Sequence, residues 1–192
     1  MKYFFIILFI LVGNSGKTQL ATTIKWQVNK SVRTIDTVYY NPSVKLVWND
    51  FKGVPDMTSK AAAITASGFG YAMVIQSKNG VATLNITVMC YFIKPRSWVK
   101  NGMNSDYALT HEQHHFDITY IKACLFVKKL REANFTTDNY KSILRKLYLE
   151  SQDSMHTMQN SYDGETKNGQ LKNIQLEWNE KIDLQLASIV TH

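Results

Sequence analysis

The chain has 192 residues, a formal net charge of +7 and two cysteines, Cys90 and Cys124. That length suits one domain and is short for two. The Lys and Arg residues are scattered, with only short clusters such as the pair beginning at Lys128, so the positive excess reads as a solvated surface suited to an anionic envelope and not as a nucleic-acid footprint.

Residues 1–16, MKYFFIILFILVGNSG, place Lys2 before an unbroken apolar run from Tyr3 to Val12. About ten residues are too few to cross a hydrocarbon core of about 30 Å as a helix. The run reads as a secretory signal peptide, with Gly13, Ser15 and Gly16 near the cleavage point. Residues 17–192 are then a single domain that is secreted, periplasmic or held in the cell envelope, with no stable membrane span after cleavage. Export would permit one disulfide and requires none; because Cys90 falls in a strand-like run and Cys124 in a helix-like one, both read as small core residues.

Residues 24–40 mix β-branched and aromatic residues with polar ones, as in IKWQV and TVYY, which predicts strands of a half-solvated sheet. The apolar stretch VKLVWNDFKGVPD ends in Gly53 and Pro55, hence a loop. Two long β-prone runs follow, AAAITASGFGYAMVIQ and VATLNITVMCYFI, joined through Asn79-Gly80. That dipeptide tolerates the positive φ of a tight turn and predicts a hairpin. Pro95 ends the second strand.

Beyond Pro95 the period changes to that of a helix. Asn104 or Ser105 can cap it, with Asp106 in the first turn. Tyr107, His111, His115, Ile118, Ile121 and Leu125 fall in one stripe, and the pattern continues to about Ala133. ANFTTDN is the connection, with Thr136 or Thr137 as the next cap. The second helix buries Tyr140, Ile143, Leu144, Leu147, Met155 and Met158 and stops near Asp163-Gly164. A third carries Leu171, Ile174, Trp178, Ile182, Leu186 and Ile189. The expected fold is α+β, a largely antiparallel N-terminal sheet followed by three helices.

The chemistry concentrates in LTHEQHHFDI. His111, Glu112 and His115 satisfy the H-E-x-x-H pattern: residues four apart share a helix face, so both imidazoles can reach one ion at about 2.0–2.1 Å. Glu112 projects beside the pair, placed to take a proton from a water that Zn2+ has acidified. His114 shares the inward stripe but joins the same ion less easily, and reads as a supporting or core residue. Asp117 either orients a ligand imidazole or faces water.

A catalytic zinc usually keeps three protein ligands. If the first two helices form an antiparallel pair turning near Phe135, His115 lies level with about Met155 and His111 with about Gln159. The third ligand is therefore expected from the end of the second helix and the loop after it, where His156, Asp163, Glu165 and the weaker donor Asn168 stand.

Three stretches, WNDFKGVPD from Trp48, HEQHHFDI from His111, and YDGETKNGQ with QLEW between Tyr162 and Trp178, resemble a family of secreted zinc-dependent proteases, zincin-like and long described only as a domain of unknown function. The resemblance spans residues 48–182. It implies a metallopeptidase-like helical core with His111 and His115 as ligands and Glu112 as general base. That family usually has a His before the glycine of its last motif, where this chain has Asn168 before Gly169. Within the resemblance the Tyr-Asp pair is the firmer part of that motif, which favours Asp163 as third ligand, with Glu165 or His156 as alternatives. Tyr162, on position alone, is a candidate transition-state donor.

The expected function is an exported zinc metallopeptidase acting on a peptide or protein. The other expectation is a catalytically inactive envelope protein of the same fold that serves as a binding module.

Overall fold

The computed structural model describes residues 19–28, 31–79 and 81–190; the expected signal segment, residues 1–16, lies outside them. Six strands precede three helices among the described residues: β1 (Ala21–Trp26), β2 (Thr37–Tyr39), β3 (Ala63–Ile64), β4 (Ser67–Lys78), β5 (Val81–Ile93), β6 (Trp98–Val99), α1 (Asp106–Glu132), α2 (Tyr140–Thr166) and α3 (Lys172–Val190). The α+β order read from the sequence holds.

β5 organises the sheet. Its buried residues alternate, Leu84, Ile86, Val88, Cys90 and Phe92, so one face packs on the helices. β4 pairs with it antiparallel along its whole length, from Ser67↔Phe92 to Lys78↔Val81, as the Asn79-Gly80 signal predicts, and Asn79 has φ 52°. The other edge of β5 is shared end to end. β2 pairs antiparallel with it near Tyr91, whereas β1 pairs parallel, from Ala21↔Thr83 to Trp26↔Val88. The sheet is largely antiparallel, as expected, with the β1–β5 pairing as the parallel exception among the described residues. The reason is topological: after β1 the chain overshoots the end of β5, with Gln27 N–H donating to Val88 O, and comes back as β2, with Tyr40 N–H donating to Cys90 O.

The run AAAITASGFGYAMVIQ is also not one strand. Ala63 and Ile64 leave the main sheet to pair with Val99 and Trp98, and β4 begins only at Ser67. This detour lays residues 61–67 along the entrance to α1.

Ser105 caps α1, its Oγ accepting from Ala108 N–H at 3.2 Å, with Asp106 in the first turn and Lys129 and Arg131 in the last, each favourable to the helix dipole. From His111 to Thr119 every residue is buried. A helix enclosed on all sides is central, not superficial. Phe116 and Tyr120 face the sheet through Phe92 and Tyr40, while Ile118 and Ile121 join Tyr162, Trp178 and Ile182 in a second cluster under α2 and α3. Leu125, expected on the inward stripe, is 42% exposed, because the buried face there has turned to Ala123, Phe126, Val127 and Leu130.

At the start of α2, Asn139 holds the N-cap position without a side-chain cap bond, and of the two expected caps it is Thr136 that acts, one turn earlier: its Oγ1 accepts from Asn139 N–H at 3.3 Å while its own N–H donates to Asn139 Oδ1 at 2.7 Å. The end of α2 differs from expectation. α2 passes through Asp163-Gly164 to Thr166, since Gly164 is exposed with open space around it and nothing there forces a stop. Both thiols are free, Cys90 buried and Cys124 half-buried.

Candidate metal centre

The extra turn of α2 positions the site. Helices α1 and α2 pair so that Gln159 stands against His115 and Asp163 against His111, about one turn further along α2 than a pivot at Phe135 gives. Three donor atoms converge there. His111 Nε2 and His115 Nε2 are 3.2 Å apart, and Asp163 Oδ1 lies 3.1 Å from the first and 3.0 Å from the second.

Donors around a tetrahedral zinc at about 2.0–2.1 Å stand about 3.3–3.4 Å apart. The triangle matches that spacing to within a few tenths of an ångström, and two imidazoles with one carboxylate are an ordinary zinc donor set. Among the described residues this is the group of three or more His, Cys, Asp or Glu side chains that could hold an ion. Both imidazoles are buried, while the Asp163 side chain is 37% exposed and opens towards solvent.

The outer nitrogens of both rings are engaged. His111 Nδ1 lies 2.7 Å from Gln175 Oε1, and His115 Nδ1 contacts Gln159 Oε1. Neither glutamine stands out in the sequence as a site residue, because a lone Gln on a helix carries no motif. The only available signal was level: Gln159 sits opposite the histidines in an antiparallel pair.

A loop closes over His111. Lys167, Asn168 and Gly169 are all left-handed, with φ 51°, 53° and 77°, a run in which Asn and Gly are the tolerant residue types. Asn168 N–H donates to Asp163 O at 2.8 Å. A Cβ on Gly169 would stand 3.3 Å from His111 Nδ1, so the missing side chain is what lets the backbone lie against the ring. Tyr107, one turn before His111, donates its O–H to Gly169 O at 2.6 Å and holds the loop down. Asn168 lines the cavity but is exposed and outside the donor triangle.

Charge follows from this packing. Burial opposes a proton on His115, but the bond to Asp163, the negative charges of Glu112 and Asp163 and the contact with Gln159 outweigh it, lifting the imidazole to about 9. Burial alone would raise the Asp163 carboxyl; its polar contacts with His111 and His115, and their charge when protonated, reverse this and hold it well below the usual carboxylate range.

Glu112 lies beside the triad and is 4% exposed. Its Oε2 is buried and has no hydrogen-bond partner among the described residues. A buried carboxylate oxygen with nothing to accept from is costly, and Glu112 lines the same cavity as His111, His115 and Asp163. That cavity, of about 530 Å³, is walled on one side by residues 61–67 and reaches Arg96, Met103 and Tyr107.

The remaining candidates from the sequence lie elsewhere. Asp117 neither faces water nor touches a ligand imidazole: it is fully buried on the sheet side of α1, accepting from Tyr40 O–H and Gln113 Nε2, both at 2.8 Å, with Lys45 at 3.6 Å. Tyr162 is fully buried behind the site, stacked on His111 with ring centroids 4.6 Å apart, and its hydroxyl meets Gln175 and His111 O. It does not line the cavity, so it supports His111 and is not placed as a transition-state donor. Glu165 is exposed on the far side of α2, accepting from Trp178 Nε1 at 2.9 Å. His156 lines the cavity but is exposed and lies outside the donor triangle. His114 is buried against the edge of Tyr162, 3.4 Å from Asp183.

No protein-family model, curated protein or solved structure matches this chain.

Proposed function

We propose that the protein is an exported zinc metallopeptidase in which His111, His115 and Asp163 hold the ion and Glu112 moves the proton. The observation that carries this reading is the donor triangle with 3.0–3.2 Å edges in a cavity that Glu112 also lines, the Glu112 Oε2 being buried without a hydrogen-bond partner among the described residues. Asp163 supplies the third donor that the residue before Gly169 does not.

Zinc, when bound, acidifies a coordinated water and polarises the carbonyl under attack. With the ion held by His111, His115 and Asp163, the Glu112 carboxylate would take the water's proton and pass it to the leaving amine, a role in which its burial excludes competing bulk water. Asp163 and the two histidines orient the ion and keep the site at one formal negative charge among its donors. Residues 61–67 offer an extended wall along which a peptide chain can lie. Export is supported by Lys2 and the apolar run to Val12.

The test is cleavage of a mixed peptide library, read by mass spectrometry, for wild type and Glu112→Gln with zinc content measured on both. The expected result is cleavage by wild type and a loss of about 10²–10⁴-fold in the variant at unchanged zinc content. A zinc-loaded wild type that cleaves nothing would support the inactive binding module instead.

A further inference from the structure

We infer that Gln159 and Gln175 are positioning residues that fix both metal-binding imidazoles as the Nδ1–H tautomer, turning the two Nε2 lone pairs into the site. This rests on the metal reading above, but its geometric basis stands apart from it.

The Gln159 orientation is forced by a backbone carbonyl, and that of Gln175 follows from the direction of the Tyr162 hydroxyl. Gln159 Nε2 lies 2.8 Å from His115 O and 3.2 Å from Thr119 Oγ1. A backbone carbonyl only accepts, so the amide end facing it must be the NH2. Oε1 therefore faces His115 Nδ1, and because a carbonyl oxygen has no proton to give, Nδ1 must carry one.

On α3 the Tyr162 hydroxyl sets the amide of Gln175. Tyr162 O–H donates to His111 O at 3.4 Å, so its oxygen accepts from Gln175 Nε2, which also donates to Asn179 Oδ1 at 2.5 Å. That leaves Gln175 Oε1 towards His111 Nδ1 at 2.7 Å, and Nδ1 again holds the proton. Each helix packed against α1 thus contributes one amide, α2 to His115 and α3 to His111.

Once each ring holds a single proton, both Nε2 atoms are bare, 3.2 Å apart with a carboxylate oxygen at 3.0–3.1 Å, an arrangement of lone pairs that a cation, whether a proton or a metal ion, relieves. A hydrogen bond to the outer imidazole nitrogen also fixes ring rotation and raises ligand basicity. Glutamine does this without adding charge, so Asp163 carries the only formal charge in the donor set.

The experiment compares wild type with Gln159→Leu and Gln175→Leu, which remove the acceptor, and Gln159→Glu and Gln175→Glu, which keep one. Long-range proton–nitrogen NMR of the metal-free wild type at pH 10 reads the tautomers directly, and competition with a chromophoric chelator reads zinc affinity. The expected result is a protonated Nδ1 on His111 and His115, with zinc affinity reduced about 10–100-fold in each Leu variant and restored to within a few-fold in each Glu variant. An Nε2–H tautomer on either ring, or Leu variants that bind zinc as wild type does, overturns the inference. If a Leu variant does not fold, the wild-type tautomers decide alone. The expected tautomers without zinc uptake would overturn the metal reading while leaving the amide assignment in place.

Discussion

Raising the pH should strengthen zinc binding and weaken the metal-free protein over the same interval. His115 holds its proton to about 9 when no ion is bound, against 6.5 for an unperturbed imidazole. The ion requires a bare Nε2, so each zinc bound displaces that proton. Between pH 6.5 and 8.5 the apparent affinity should rise about 80-fold, close to a decade per unit.

Stability moves the other way in the metal-free state. A folded-state pKa above the unfolded one contributes stability that is complete below pH 6.5 and lost as the pH climbs through 9. Two and a half units amount to about 3 kcal/mol. Between pH 6.5 and 8.5 about 2 kcal/mol of this is lost, for a domain of this size a fall in Tm of about 4–9 °C. The assays are chelator competition and thermal melting in EDTA or zinc at pH 6.5, 7.5 and 8.5. A zinc affinity flat across this range, or a metal-free Tm that rises with pH, would refute the electrostatic account of His115.

Asp163→Asn should lower zinc affinity by at least about tenfold and abolish most of the pH dependence of metal-free stability, seen by the same two assays. Glu165→Ala and His156→Ala should leave zinc affinity unchanged, with Glu165→Ala costing about 1 kcal/mol from the lost Trp178 bond in denaturant unfolding. Gly169→Ala places a Cβ 3.3 Å from His111 Nδ1 at φ 77°; a loss of about 1–2 kcal/mol in unfolding should accompany weaker zinc binding. Tyr162→Phe should cost about 1 kcal/mol and leave peptide turnover within a few-fold of wild type; a fall in kcat of a hundredfold would restore it as a transition-state donor.

What was legible in the sequence follows from how local each signal is. The turn at Asn79, the β-prone run that becomes β5 and a cap at Asn104 or Ser105 are signals over a few residues, and all three formed, with Ser105 as the cap. The i, i+4 pairing of His111 and His115 is likewise fixed by helix geometry alone. The parallel placement of β1 and the departure of β3 from the main sheet depend on partners far along the chain, and no period reports them. Asp163-Gly164 reads as a stop, yet an exposed glycine inside a helix costs only about 1 kcal/mol, and packing of α2 on α1 carries the helix through it. Asp117 was misplaced for a local reason: at about 100° per residue it falls on the opposite side of α1 from His111 and His115, beside Gln113 and facing the sheet. Gln159 and Gln175 could be found only once the helices were set side by side.

In the proposed site His111, His115 and Asp163 grip one zinc ion with Glu112 alongside. Anomalous diffraction across the zinc absorption edge, on crystals grown with the metal, tests this arrangement most directly. One peak about 2.0–2.1 Å from His111 Nε2, His115 Nε2 and an Asp163 oxygen is the expected result. Zinc density seated on other side chains, or no peak between these three at saturating zinc, would contradict it.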